Sequence, residues 1–304
     1  MRVETDARDG EAGEDHPLAQ ALAARSALWK EPRTELGALE PGWVTAAALF
    51  ADDAALDDQL DYQGSFDAGV DQKSRAAFLM SDYCAMFAMT AVPPFVGAGL
   101  VPDLAASNYA LRFYTTTMEH DGHTAEVRRA HVRFLSPAFS TERENHAAHA
   151  DAKALCSRPE LCEAFRRGVE DHFSPLIEAR NRKTRLPRSA MWRLVGDALA
   201  AAFLEAGRRY GCLDDAKAMA LAVLKQPGSP LKNRQMHFLD IAVHDDACPD
   251  RVLATHTFRA RGGCCRYYLI EGRKLCSTCV LQKPATRDRL LQNAIRRRLG
   301  LPAC

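Results

Sequence analysis

The segment RGGCCRYYLIEGRKLCSTC, residues 261–279, holds four of the ten cysteines in this 304-residue chain. Two of them are adjacent, and the spacing is Cys264-Cys265, ten residues, then Cys276-x-x-Cys279. The N-terminus is acidic and lacks the apolar region of a secretory signal, so we expect reduced thiols. In that setting a tight cysteine pattern indicates metal or redox chemistry rather than disulfides. This segment therefore constrains the chain more than any other.

Four thiolates suit either a zinc ion or an iron–sulfur cluster. A structural zinc site usually takes two pairs with C-x(2 to 4)-C spacing, and only Cys276 and Cys279 have that form. Adjacent cysteines in extended backbone point to opposite faces, which suits a two-iron cluster better than one small ion. Gly262, Gly263 and Gly272 let the backbone come close and leave amides free to point at sulfur.

The charge of the chain is distributed unevenly. The net charge is +1, yet residues 1–62 contain fourteen Asp and Glu against five Lys and Arg. Residues 251–304 contain twelve Lys and Arg against two Asp and Glu. The cysteine-rich end is therefore the basic end, which favours anionic partners unless it is simply a solvated face.

The residue pattern predicts an α+β protein, mainly helical, with a small antiparallel sheet and a C-terminal cysteine-rich cluster-binding segment. Turn chemistry at Asp121-Gly122 predicts a β-hairpin near residues 109–135. Further strands are predicted at residues 236–243 and 251–258. Apolar periodicity predicts helices at residues 17–30, 43–60, 72–91 (closed by Pro93 and Pro94), 140–157, 159–180, 188–210 and 214–225.

By composition the chain divides into three parts. Residues 1–40 form an acidic tail with the first helix, and residues 41–250 form a mainly helical domain. Residues 251–304 form a basic segment with the cysteines and a terminal helix. The apolar stretch at 86–101 contains two prolines and is too short to span a membrane, so we expect no transmembrane span.

Other chemical patterns in the sequence are weaker. His120-x-x-His123 and His146-x-x-His149 could each hold a metal, but neither has a clear third ligand nearby, so we interpret them as solvated histidines. No complete dinucleotide-binding or phosphate-binding glycine pattern occurs. The sequence also shows no catalytic base or nucleophile. The scattered cysteines are interpreted as buried apolar groups: Cys84, Cys156, Cys162, Cys212 and Cys248.

The pattern C-C-x10-C-x2-C at the C-terminal end resembles that of the FhuF-type siderophore-iron reductases. The surrounding sequence TFRARGGCCRYYL is similar to the family's basic and aromatic approach to the cysteine pair, and residues 75–135 are less specifically similar. Val280 departs from the family, many of whose members have proline there. The resemblance implies a [2Fe-2S] cluster with these ligands: Cys264, Cys265, Cys276 and Cys279.

The resemblance also implies an activity, ferric-chelate oxidoreduction. One electron from the cluster would reduce a ferric siderophore and release ferrous iron in the cytoplasm, with no catalytic residue beyond the cluster. We expect a cytoplasmic location, including peripheral association with the inner face of the membrane. Five basic residues are expected to favour the reduced cluster and to attract an anionic chelate or an external donor such as a ferredoxin: Arg259, Arg261, Arg266, Arg273 and Lys274.

Two alternatives stay open at this point. One is a structural zinc protein whose basic C-terminus, including residues 296–298, binds nucleic acid. Against it, Leu291, Ile295 and Leu299 form one apolar face of a predicted helix, so that the arginines meet solvent, and we expect no nucleic-acid partner. The other is a non-catalytic relative that binds siderophore.

Overall fold

The computed structural model describes residues 15–67, 69–120 and 123–303. It is an α+β protein in which helices predominate, as the sequence predicts. The helices are α1 (Pro17–Leu28), α2 (Ala46–Ala51), α3 (Asp53–Ser65), α4 (Gln72–Ala98), α5 (Glu144–Ala147), α6 (Arg158–Thr184), α7 (Arg188–Arg209), α8 (Leu213–Leu224) and α9 (Pro284–Arg298). The strands are β1 (Thr34–Leu36), β2 (Val44–Thr45), β3 (Leu100–Pro102), β4 (Tyr109–His120), β5 (His123–Phe134), β6 (Phe139–Thr141), β7 (Ala152–Leu155), β8 (His237–His244) and β9 (Val252–Ala260). The acidic tail before Asp15 and the Asp121-Gly122 turn lie outside the described residues.

The chain forms two compact units, and the first comprises the described parts of residues 1–49 and 93–172. Its main sheet has the order β1-β5-β4-β2. The predicted hairpin is confirmed, because β4 and β5 pair antiparallel from Tyr109 opposite Phe134 to His120 opposite His123. A second sheet has the order β3-β6-β7. The pairs β1–β5 and β6–β7 are parallel, whereas the other strand pairs are antiparallel.

The helix predicted at residues 140–157 is wrong. This stretch contains the end of β6, the single turn α5 and the strand β7. Phe139 and Thr141 are fully buried, and the Thr141 hydroxyl donates to the Gly99 carbonyl at 3.0 Å. Pairing with β3 and burial of β6 therefore override a helix-forming composition.

The end predicted for the helix at residues 72–91 is also wrong, because α4 continues through Pro93 and Pro94 to Ala98. Both prolines are buried, as are Val92 and Phe95. Burying this apolar turn offsets the loss of two backbone donors. By length and composition α4 is the one described helix that could cross a membrane, but 67% of its most apolar window is buried. Because a core helix has the same features, no clear membrane span is present in the described residues.

The second unit comprises the described parts of residues 50–92 and 173–304. It contains the predicted helical pair α7 and α8 and the predicted strands, which pair as the antiparallel hairpin β8–β9. Arg208 of α7 donates to the Thr257 carbonyl of β9. The strand β9 leads directly into the cysteine segment, and α9 follows that segment. The predicted division into residues 1–40, 41–250 and 251–304 is based on composition. The two compact units are defined by contacts and do not test it, so it stays a prediction.

The terminal helix α9 packs against β8 through a small apolar cluster of Ile241, Val243, Leu291 and Ile295. Leu299 is 45% exposed at the end of the helix and lies outside that cluster, so its predicted place on the buried face is wrong. The residues Arg297 and Arg298 are exposed, as predicted.

The prediction that all three arginines of α9 meet solvent is wrong for Arg296. Its side chain is buried and its Nη2 lies 2.5 Å from Asp246 Oδ2. Its Nε donates to the Pro302 carbonyl. Arg296 therefore ties α9 to the loop after β8 and to the C-terminal residues, and only its two neighbours are available to an anionic partner.

The packing of α9 is tested by two truncations at apolar positions. Ile295→Ala should lower the free energy of unfolding by about 2–4 kcal/mol, because it opens a cavity in the β8–α9 cluster. Leu299→Ala is the control at an exposed position and should change it by only about 0.5 kcal/mol. Urea unfolding followed by circular dichroism measures both. Equal losses in the two variants would contradict the assigned helix face.

Candidate iron–sulfur site

The cysteine segment closes on itself after β9. The Arg261 amide donates to the Thr278 carbonyl at 3.0 Å, which brings the two ends of the segment together. The Cys279 amide donates to the Cys276 carbonyl at 3.0 Å, so these two cysteines lie on one tight turn. Across the segment, the sulfurs of Cys265 and Cys276 both lie beside the Arg261 guanidinium. The two cysteine pairs, ten residues apart in sequence, are therefore neighbours in space.

A buried carboxylate on α7, Asp197, anchors the start of this segment. The Gly262 amide donates to its Oδ1 at 2.8 Å, and the Gly263 amide donates to its Oδ2 at 3.0 Å. The Arg261 Nε donates to the same Oδ2 at 3.3 Å, and Arg259 donates to the Asp197 backbone carbonyl. Three side-chain contacts and one backbone contact thus fix residues 259–263 to a single helical position.

Asp197 is a site residue that the cysteine pattern does not predict, although a signal for it exists in the sequence. It is an acidic residue within MWRLVGDALAAAF, a stretch of α7 in which most side chains are buried and apolar. A charge at such a position is unfavourable unless it is paired and hydrogen-bonded, so its presence indicates a partner elsewhere in the chain. The sequence alone does not show that this partner is the glycine pair before the cysteines.

The two glycines before the cysteine pair are required by close packing. A Cβ on Gly263 would lie 3.0 Å from Arg193 Cβ and 3.1 Å from its carbonyl carbon, so the backbone rests directly on α7. A Cβ on Gly262 would lie 1.9 Å from the side-chain nitrogen of Asn233. The sequence prediction that these glycines permit close approach of the backbone is consistent with both contacts.

Backbone amides point at three of the sulfurs. The Arg266 amide donates to Cys264 Sγ at 3.4 Å, and the Leu281 amide donates to Cys279 Sγ at 3.5 Å. The Tyr267 amide donates to Cys265. Arg266 has a φ of 63°, the left-handed conformation, and this turn aims two successive amides at the cysteine pair. Such donors stabilise negative charge on sulfur.

Arginine charge and burial act on the thiols in opposite directions. Burial raises the pKa of Cys264. The hydrogen bond from Cys276 lowers the pKa of Cys265, and the nearby Arg261 cation acts in the same direction. That shared hydrogen bond raises the pKa of Cys276. The thiolate is the form that binds metal, and the Arg261 cation favours that form at both sulfurs of this pair.

The five basic residues predicted around the site divide into three groups. Arg259 and Arg261 are largely enclosed beside the thiols, with Arg261 Nη1 at 3.6 Å from Cys265 Sγ and 3.9 Å from Cys276 Sγ. Arg266 is held by Asp71 at 2.7 Å and by the Ser74 hydroxyl. The other two, Arg273 and Lys274, are exposed. The structure therefore gives only this last pair the accessibility that docking requires.

The thiols are spread more widely than a single-ion site. Sulfurs around a tetrahedral zinc ion lie about 3.8 Å apart, given a Zn–S distance of about 2.3 Å. Among the described residues, no three of the four cysteines have sulfurs within 4.8 Å of one another. This spread, together with the amides aimed at sulfur, fits a cluster of two irons better than one zinc ion.

A second group of possible metal ligands consists of His16, His149 and Asp151. The Nδ1 of His16 accepts the amides of the first turn of α1, from Leu18 at 3.1 Å and Ala19 at 3.4 Å. The His149 Nδ1 accepts the Asp151 amide at 3.2 Å. A neutral imidazole that accepts a hydrogen bond at Nδ1 carries its proton on Nε2. In both rings Nδ1 is therefore occupied by a backbone amide, and the protonated Nε2 has no lone pair for a metal. We interpret this group as a helix cap beside an Asp–His contact.

Of the His146-x-x-His149 pair, His149 is half-buried beside Asp151 and His16, so its interpretation as a solvated histidine is wrong, whereas His146 lies outside this group. The side chains of His120 and His123 lie outside the described residues.

Comparison with known proteins identifies the cysteine segment. Residues 261–281 match the sequence profile of a family described as FhuF 2Fe-2S C-terminal domain. No curated protein and no solved structure matches the chain significantly. The match covers all four clustered cysteines and the amides that face them, so the cofactor of this segment is a [2Fe-2S] cluster.

The packing beneath the cysteine pair generates a test by substitution of glycine. Gly263→Ala should lose most of the iron, because the added methyl group meets the backbone of α7 and displaces the following cysteines. Gly272→Ala is the control in the same segment. A Cβ there meets nothing within 4 Å and adds only backbone strain of about 1–2 kcal/mol at a φ of 72°. Iron and sulfide content per chain distinguish the two, and full retention in Gly263→Ala would contradict the assigned packing.

Proposed function

We propose that this chain, which carries a FhuF 2Fe-2S C-terminal domain and belongs with the FhuF-like proteins, is a siderophore-iron reductase. It would transfer one electron to a ferric siderophore chelate and release ferrous iron in the cytoplasm. The observation that carries the proposal is the assembly of four cysteines, three aimed amides and one enclosed arginine in a single segment. No acid, base or nucleophile is needed for such a reaction.

The proposed ligands are Cys264, Cys265, Cys276 and Cys279. Cys265 Sγ and Cys276 Sγ lie beside the same Arg261 guanidinium, at 3.6 Å and 3.9 Å from its Nη1. All four thiols lie in this one closed segment and would together hold the [2Fe-2S] cluster. Adjacent cysteines that point to opposite faces can serve different metal ions without strain.

Release of iron follows from the chemistry of the chelate. A bound [2Fe-2S] cluster supplies single-electron transfer. Ferric iron is a hard cation held tightly by oxygen donors, and the ferrous ion is held less tightly, so one electron converts a stable chelate into a labile one. One electron enters from a donor for each Fe(III) reduced to Fe(II), and no covalent bond of the protein changes.

The residues around the thiols have separate tasks in this proposal. Arg261 would stabilise the added negative charge, because it lies beside two sulfurs and is largely shielded from solvent. Arg259, held at the Asp197 carbonyl, would add a second cation nearby. Four exposed apolar or aromatic side chains follow or flank the cysteines and form what we term the rim. The rim is the surface on which we place contact with the chelate or the donor: Tyr267, Tyr268, Leu269 and Leu281.

The electron donor in this proposal is a separate acidic redox protein of the ferredoxin class. The sequence has no complete nicotinamide-binding glycine pattern, and the cations Arg273 and Lys274 are exposed. The Arg273 guanidinium lies over the Tyr267 ring at 5.4 Å, which joins the basic and aromatic surfaces. Complementary charge would steer a donor to this place.

Substitution of a ligand tests the cluster and the activity together. The protein purified without oxygen should be red-brown with about two irons per chain, and after reduction by dithionite it should convert ferric siderophores to Fe(II). Cys276→Ser and Cys279→Ser should lose both properties. The control Cys248→Ser should keep both. This cysteine lies outside the segment and is exposed, so its interpretation as a buried apolar group is wrong.

Visible absorption and a colour-forming Fe(II) chelator provide the two measurements. Zinc in place of iron and sulfide would refute the cluster assignment, because zinc thiolate sites are colourless. An intact cluster that reduces no ferric chelate of hydroxamate, catecholate or carboxylate type would instead indicate a non-catalytic siderophore-binding protein.

Charge reversal tests donor docking separately from chemistry. The double variant Arg273→Glu with Lys274→Glu should slow reduction by a ferredoxin about tenfold, because steering by opposite charge is lost. Reduction by dithionite, which needs no docked orientation, should be unchanged. Raising the salt concentration from 0.1 M to 1 M shortens the Debye length from about 10 Å to about 3 Å. The higher salt should slow the ferredoxin-dependent reduction of the wild type but not that of the double variant. An unchanged ferredoxin rate in the variant would contradict this docking site.

A further inference from the structure

The Asp197 carboxylate is connected to both features of the segment that matter for the cluster. Through Gly262 and Gly263 it holds the backbone that leads into the cysteine pair. Through the Arg261 Nε it holds the guanidinium that faces two sulfurs. Its side chain is only 2% exposed, and it extends from the middle of α7, which is a regular helix of 22 residues.

Nothing in α7 itself requires a carboxylate at this position. The helix has its own backbone hydrogen bonds there, and burial of an unpaired carboxylate is costly. The three donors from residues 261–263 repay that cost, and all three belong to the segment that precedes the thiols. The buried charge is therefore explained by what it holds in place and not by the helix that carries it.

The contacts of Arg261 show that Asp197 orients its guanidinium toward the sulfurs. Nε faces Asp197 Oδ2 at 3.3 Å, while Nη1 on the same planar group lies 3.6 Å from Cys265 Sγ and 3.9 Å from Cys276 Sγ. Because a guanidinium is rigid and planar, fixing one nitrogen orients the others. Arg259 donates to the backbone carbonyl of Asp197, so a second cation is held at the same place.

We propose that Asp197 is a positioning residue of the cluster site, which aims Arg261 at Cys265 and Cys276 and thereby raises the reduction potential of the cluster. The inference rests on the proposed cluster ligands but not on siderophore reduction. The cluster becomes more negative when it accepts an electron, and a cation held at its sulfurs stabilises that form. Asp197 opposes this effect with its own charge, but it bears on the sulfurs through Arg261, which lies between them and the carboxylate.

The two possible effects of Asp197, positioning Arg261 or acting only as a negative charge, predict shifts of opposite sign in the reduction potential of the cluster. Potentiometry with detection by electron paramagnetic resonance measures that shift. Arg261→Gln should lower the midpoint potential, with the equilibrium between oxidised and reduced forms shifting at least tenfold, or about 59 mV for a one-electron couple. Asp197→Asn should also lower it, because Arg261 is released from the sulfurs. If Asp197 acted only as a nearby negative charge, its removal would raise the potential.

A double-mutant cycle decides whether the two residues act together. In the Asp197→Asn background, Arg261→Gln should shift the potential by much less than in the wild type, since the guanidinium is already displaced. Additive shifts, or a higher potential in Asp197→Asn, would overturn the proposal. Arg208→Gln is the matched control. It removes a partly buried arginine that donates to the Thr257 carbonyl of β9, so the potential should stay at the wild-type value.

Arg261→Lys covers the case in which Asp197→Asn does not fold, as judged by circular dichroism. Lysine keeps the charge but has one nitrogen and cannot contact Asp197 and both sulfurs together, so its potential should lie between those of the wild type and Arg261→Gln. A wild-type potential in Arg261→Lys would show that orientation is irrelevant and would overturn the proposal. Shifts as predicted in a protein that reduces no ferric chelate would leave this inference intact while refuting the proposed reductase.

Discussion

The contact on which the cysteine site depends is the one between a buried carboxylate and three N–H donors of the segment after β9. Asp197 accepts the amides of Gly262 and Gly263 and the side chain of Arg261, and its helix provides the surface on which Gly263 rests. Residues without regular secondary structure have few backbone bonds of their own to hold them. One charged acceptor on a long helix supplies the rigidity that this segment lacks, and it does so directly before the first thiol.

The adjacency of Cys264 and Cys265 has a physical explanation in this geometry. The left-handed turn at Arg266 directs one amide to Cys264 and the next to Cys265, so each sulfur has a donor of its own. Across the segment, Arg261 lies beside the sulfurs of Cys265 and Cys276. A neighbouring pair that would crowd a single zinc ion thus becomes a suitable arrangement for a cluster with two metal ions.

The basic residues of the C-terminal segment differ in their burial and in their partners. Arg296 is buried and holds the terminal helix, and Arg266 ties the cysteine turn to the N-terminal end of α4 through Asp71 and Ser74. Arg261 faces sulfur, whereas Arg273 and Lys274 remain exposed. A net charge counted along the sequence treats these side chains alike. Their burial and partners divide them into residues that hold the fold, an arginine that faces the thiols, and an exposed pair.

The sequence by itself determined the class of the fold, most helices, the long hairpin and the four clustered thiols, because these depend on local composition and spacing. The tertiary structure decided the passage of α4 through Pro93 and Pro94, the strands in place of a helix after residue 139, and the burial of Arg296. It also brought Asp197 to the cysteine segment, about sixty-five residues away in sequence. In each of these cases burial and long-range hydrogen bonds outweigh local propensity, and no local pattern encodes which distant group a side chain will meet.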